Sequence, residues 1–146
     1  MIINSFKYQT TNDYFDYLDF HDCSVEDINI EKDIVTVDFD FIYISKDHPL
    51  NPYKVAKSID KCKLTFYNVK MSKAIIYLDD DKEKEVQLTD LVDMEFLEFK
   101  QLHVDQDFIY EMFGTDWKTH NFCRIKLKAK SFKLEWNEFT EDAWYV

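Results

Sequence analysis

His21-Asp22-Cys23 places a base, a carboxylate and a thiol in three consecutive residues, the types that a cysteine nucleophile needs. Consecutive spacing limits what they can do together. In an extended chain alternate side chains point to opposite faces, so His21 and Cys23 share one face while Asp22 points away, and no relay forms. The competing reading is a strand start in which His21 or Asp22 bonds to backbone and Cys23 packs as a small hydrophobe. No catalytic residue is assigned on this basis. His21, Asp22 and Cys23 are the candidates if the chain does chemistry.

His120-x-x-Cys123 could combine with His21-x-Cys23 as a tetrahedral zinc set of two imidazoles and two thiolates. Neither spacing is that of a paired-cysteine knuckle, and Cys123 continues the apolar face of Ile125 and Leu127. No metal or other cofactor is expected. Asp79-x-Asp81-x-Glu83-x-Glu85 has the oxygen-rich start of a calcium loop, but Lys84 stands where the sharp-turn glycine belongs, so a solvated hairpin turn is expected. Asp38 and Asp40 share a strand face at a separation that suits paired carboxylates, or simply the wet side of a sheet. Arg124, Lys126 and Lys128 form a basic stripe opposite Cys123, Ile125 and Leu127. They are candidates for an anion, or partners for acids on a neighbouring strand.

These residues must be held by the surrounding elements. Thr11 caps a short helix over residues 12–19, and Ser24–Glu31 with Ile34–Ser45 form a hairpin, with Val35, Val37, Phe39, Phe41 and Tyr43 on one buried face. His48-Pro49-Leu50-Asn51-Pro52 is a loop leading into a helical turn over residues 53–58. Strands are predicted at 62–66, 74–78 and 94–104, the last fitting a strand slightly better than a helix, although Leu88, Leu91 and Val92 could begin a helix before it. Asp107, Phe108, Ile109, Met112 and Phe113, followed by Gly114, have the cap, spacing and stop of a short helix. Cys123–Ala129 and Phe132–Trp136 form a closing hairpin whose parity change implies a bulge or tight turn. The expected fold is α+β, mainly β: one antiparallel sheet of about six to eight strands with one to three short helices, in a single domain spanning 1–146.

Composition bounds the function. The 29 acidic against 18 basic residues leave a net charge of −11, which disfavours nucleic acid and anionic membranes. The charge is uneven: residues 1–40 hold ten acids against Lys7 and Lys32, and 118–134 holds none. One glycine in 146 residues argues against Rossmann, P-loop and nucleophile-elbow folds. Three widely spaced cysteines form no disulfide framework, no run reaches membrane-helix length, and the first seven residues lack a signal peptide's regions, so the cytoplasm is expected.

The run Phe20-His21-Asp22-Cys23-Ser24-Val25-Glu26-Asp27-Ile28, the later Val37-Asp38-Phe39 and the closing Lys128-Ala129-Lys130-Ser131-Phe132-Lys133-Leu134-Glu135 resemble a group of small, uncharacterised bacterial proteins. That group opens with an aromatic-His-Asp-small motif before its first hairpin, and some relatives are immunity proteins of polymorphic toxin systems. The resemblance covers about a third of the chain and implies a fold and a bacterial origin, but no reaction. The expected function is a non-enzymatic protein-binding domain, antitoxin-like, offering Asp27, Asp38 and Asp40 to a basic protein partner. The alternative is a small-molecule binder or hydrolase that uses His21 in a concave sheet pocket.

Overall fold

Fourteen β-strands and two short 3-10 helices account for the regular structure of the computed structural model, which describes residues 6–79 and 81–146. In chain order the strands are β1 (Tyr8–Thr11), β2 (Leu18–Asp19), β3 (Val25–Glu31), β4 (Ile34–Phe39) and β5 (Tyr43–Ile44). There follow β6 (Lys57–Ile59), β7 (Cys62–Tyr67), β8 (Met71–Tyr77), β9 (Glu83–Val86) and β10 (Met94–Val104). The chain closes with β11 (Asp107–Asp116), β12 (Asn121–Ala129), β13 (Ser131–Trp136) and β14 (Phe139–Asp142). They form three antiparallel sheets in place of the one expected: β1-β13-β7-β4-β3, β10-β11-β12-β8-β9, and β14-β6-β5-β2.

The two five-stranded sheets pack face to face through one aromatic core. Phe39, Phe66 and Phe132 of the first meet Phe96 and Tyr110 of the second, with ring centroids 5.0–5.6 Å apart for Phe66–Tyr110, Phe39–Phe96 and Phe132–Tyr110. Phe39 and Phe96 meet edge to face and the other two pairs are tilted, and aromatic pairs at such separations contribute about 0.5–1.5 kcal/mol each beyond area burial. Strict alternation in β12 and β13, where Cys123, Ile125, Leu127, Ala129, Phe132, Leu134 and Trp136 are all buried, supplies both inner faces.

Those two strands are not a hairpin. β12 pairs with β11 and β8, whereas β13 pairs with β1 and β7. At Lys130 the chain arches from one sheet to the other, so residues on either side of the arch both face inward, and this produces the parity change. A second arch, Asn68–Lys70, joins β7 to β8 beside it. The two are laced by Lys130 N–H donating to Tyr67 O (3.0 Å) and Lys70 N–H to Lys128 O (2.8 Å).

The helix expected from Asp107 is instead β11, because Phe108, Tyr110 and Met112 satisfy a period of two as well as the helical spacing, and β10 and β12 claim its backbone on both sides. Gly114 ends no helix. It lies inside β11, where an added Cβ would collide with the Glu95 carbonyl of β10, next to a bulge at Leu97. Residues 12–17 do form a helical turn of 3-10 type, with Asp13 N–H donating to Thr11 Oγ1 (3.4 Å), and Leu88–Leu91 form a second. Residues 53–55 are bends shortly before β6, not a helical turn. The strands around residues 62–66, 74–78 and 94–104 correspond to β7, β8 and β10.

The hairpin of β3 and β4 forms as expected but stops at Phe39. After a bend at Asp40 the chain enters the four-stranded sheet, where Ile42 and Ile44 reach the main core while Phe41 and Tyr43 turn to a small cluster with Ala56 and Ala143. No helix among the described residues is long and apolar enough to cross a membrane. The first five residues, part of the segment weighed as a leader, and Asp80 in the charged turn lie outside the described residues. The rest of that turn closes β8 on β9, with Leu78 N–H donating to Lys82 O (2.7 Å).

Candidate functional site

The His21-Asp22-Cys23 turn links β2 to β3 and is not extended. Asp22 has φ +69°, a left-handed conformation that short polar side chains tolerate, and this brings its carboxylate 3.1 Å from His21 Nδ1 while sending Cys23 into the core. Cys23 is fully buried and its thiol donates to the Phe20 carbonyl (2.6 Å). Burial, with Cys62 and Asp40 adding to it, pushes that thiol well above the usual cysteine range, so it stays protonated and unreactive. The face-sharing expected of His21 and Cys23 does not occur: the imidazole is in solvent and the sulfur between the sheets.

Cys123 has the same character, with its thiol pushed up to about 12 by burial and then by Asp116. His120 occupies an exposed left-handed turn (φ +59°) beside Trp117. Among the described residues no three His, Cys, Asp or Glu side chains converge as a metal set.

Asp38 and Asp40 are not a strand-face pair, since β4 ends between them. Asp38 stands opposite Asp27 on β3 and lies 3.3 Å from Lys63 on β7. Asp40 Oδ1 accepts from Ser24 N–H (2.9 Å) and Phe41 N–H (2.8 Å), which fixes the bend where the chain changes sheets. In the basic stripe, Arg124 and Lys126 share Glu111 of β11 at 3.3 and 4.0 Å. Arg124 also donates to Tyr77 and lies 5.1 Å over the Phe113 ring. Lys128 sits on the same face, with no ion pair among the described residues.

The folded chain gathers a different group. The short β5 carries Tyr43, whose hydroxyl is raised above its ordinary range by burial and then by the charges of Asp22, Asp19 and Asp40. Tyr145 packs edge-on against Tyr43 at 5.5 Å, and burial followed by Asp19 pushes its hydroxyl up to about 12. Beside them a cleft of about 430 Å³ is lined by Phe41, Tyr43, Ser58, Glu141, Asp142 and Trp144, among others. Sequence reasoning missed this because its parts come from β5 and the residues before it, β6, and β14 with the segment after it, far apart in the chain. The one local signal is Trp144-Tyr145 directly after Glu141 and Asp142.

His21 lies at the rim of another open cleft, about 340 Å³, shared with Asp16, Asp19 and Glu98 over the rings of Phe15 and Phe99. One imidazole and three carboxylates thus line the same cleft. Compared with known proteins, the chain matches no family model, no curated protein sequence and no solved structure.

Proposed function

We propose that this chain is a non-enzymatic protein-binding domain whose acidic, tyrosine-flanked end engages a basic protein partner, as an immunity or antitoxin protein does. The observation that carries it is an aromatic end, with Tyr43 against Tyr145 at 5.5 Å beside an exposed Trp144, at which the charges of Asp19, Asp22 and Asp40 act on Tyr43 and that of Asp19 on Tyr145. Acidic side chains at a rim speed and orient docking of a basic surface, and tyrosine and tryptophan are the residues that most often anchor interfaces. The acidic end moves the expected contact surface from Asp27, Asp38 and Asp40 together toward Asp19, Asp22 and Asp40. It also disfavours phosphate backbones.

Affinity capture with the full chain from a native lysate, including the products of neighbouring genes, tests this. Retention of a basic protein is expected. Asp19→Asn with Asp22→Asn should slow its association about tenfold at low salt and little at high salt. Asn accepts the left-handed conformation at position 22, so the fold is kept. Failure to retain any protein partner overturns the reading. The His21 cleft favours a second reading, a small-molecule site; ligand-induced shifts of the His21 ring signals that His21→Ala removes would support it.

A further inference from the structure

We infer that the cleft between Trp144, Tyr43 and Phe41 is the seat of an arginine side chain presented by the partner. This rests on the protein-binding reading above and names the chemistry of its central contact. Four rings follow one another edge to face around this end. Phe41 meets Tyr43 at 5.3 Å and 67°, Tyr43 meets Tyr145 at 5.5 Å and 71°, and Tyr145 meets Trp144 at 5.6 Å and 84°. Rings turned in this way present faces as well as edges to a cleft, and an aromatic face attracts a cation within about 6 Å of its centroid. Trp144 is 67% exposed, so its indole is open to a ligand.

The charge around the cleft selects the occupant. No Lys or Arg lines it, while Glu141 and Asp142 do. Asp142 is already matched by Lys57 at 3.0 Å, and Glu141 has no ion pair among the described residues. The charges of Asp19, Asp22 and Asp40 act on Tyr43 and add to the negative field. Lys57 shows the same chemistry in miniature, its ammonium 4.6 Å over the Tyr53 ring while paired with Asp142.

A sugar is the other ligand that stacks on indole rings, but the Ser58 and Thr140 hydroxyls here are bonded within the chain. Ser58 Oγ donates to Glu141 O (3.1 Å), accepts from Glu141 N–H (3.2 Å) and lies 2.7 Å from Thr140 Oγ1. A planar guanidinium can lie flat on Trp144 and bond Glu141 with two N–H groups, which an ammonium cannot do.

The test titrates the full chain with N-acetyl-arginine amide, N-acetyl-lysine amide and maltose, following the Trp144 indole N–H by NMR. Saturable shifts with arginine, weaker shifts with lysine and none with maltose are expected. Trp144→Ala should weaken arginine binding about tenfold, read from the ligand signals, and Glu141→Gln about threefold, at unchanged Tm. Equal response to lysine, response to maltose alone, or arginine binding indifferent to Trp144→Ala overturns the inference. If a partner is captured and Trp144→Ala leaves its affinity unchanged, the cleft is not its seat and the acidic-end reading stands. If arginine saturates the cleft and no partner is captured, the acidic-end reading falls and with it the partner that presents the arginine, while the affinity of the cleft for a guanidinium stands.

Discussion

Aspartate does in this chain what glycine does in most. Asp22, Asp81, Asp93 and Asp105 all have positive φ, as do Asn68, Lys32 and His120, in a protein with a single glycine that is itself not left-handed. Asp and Asn tolerate this region because their short side chains bond the adjacent backbone. Part of the −11 charge is thus turn chemistry, which is why net charge alone is a poor guide to a partner. Replacing Asp93 or Asp105 by alanine should cost about 1 kcal/mol in urea denaturation, and glycine should cost nothing or stabilise. Gly114 is the reverse case: its role is closeness, so Gly114→Ala should lower stability by about 1–3 kcal/mol, or by more if β10 cannot shift, as read by the shift in urea midpoint. His48 also acts at this scale. Leu50 N–H donates to its Nδ1 (3.0 Å), so Nε2 carries the proton and donates to Thr10 (2.8 Å), and burial lowers its pKa below the ordinary 6.5. The imidazole is neutral in both states above pH 6.5 and its contribution is complete there. As the pH falls the unfolded chain protonates first, and stability is lost until the pH passes the folded value. Urea midpoints between pH 7.5 and 5 should fall less in His48→Gln than in the parent.

At the scale of elements, the two arches explain how consecutive strands come to line opposite walls of one core. Lys70, at the arch that joins β7 to β8, reaches 2.7 Å to Asp107 at the start of β11, whose side chain is 8% exposed. Removing the ammonium leaves a nearly buried carboxylate without its cation, so Lys70→Met should destabilise by about 1–3 kcal/mol in thermal or urea unfolding, and Lys70→Met with Asp107→Asn should recover part of it. β4 was legible because period-two burial and β-branched residues coincide in it, and β8 because its end is a short, nearly continuous apolar run. β11 was not, because its apolar spacing fits both periods and only its neighbours decide. The β12–β13 hairpin was misread since the sequence shows adjacency and parity but not which sheet a strand joins.

For the whole molecule, charge and core are separate stories. The apolar alternation of the strands, the absence of glycine-rich loops and the acidic first forty residues are written in the sequence, and they determine a β-rich, acidic chain with a large aromatic core. They do so because side-chain period and composition are local properties. Whether a residue such as Cys23 is a nucleophile or a core atom, and whether Phe41, Tyr43, Glu141 and Trp144 meet, depends on where the chain bends at Asp22 and Asp40 and how β5, β6 and β14 pair. Only the tertiary structure decided that, because burial and the approach of side chains a hundred residues apart are set by sheet pairing, which no local pattern encodes.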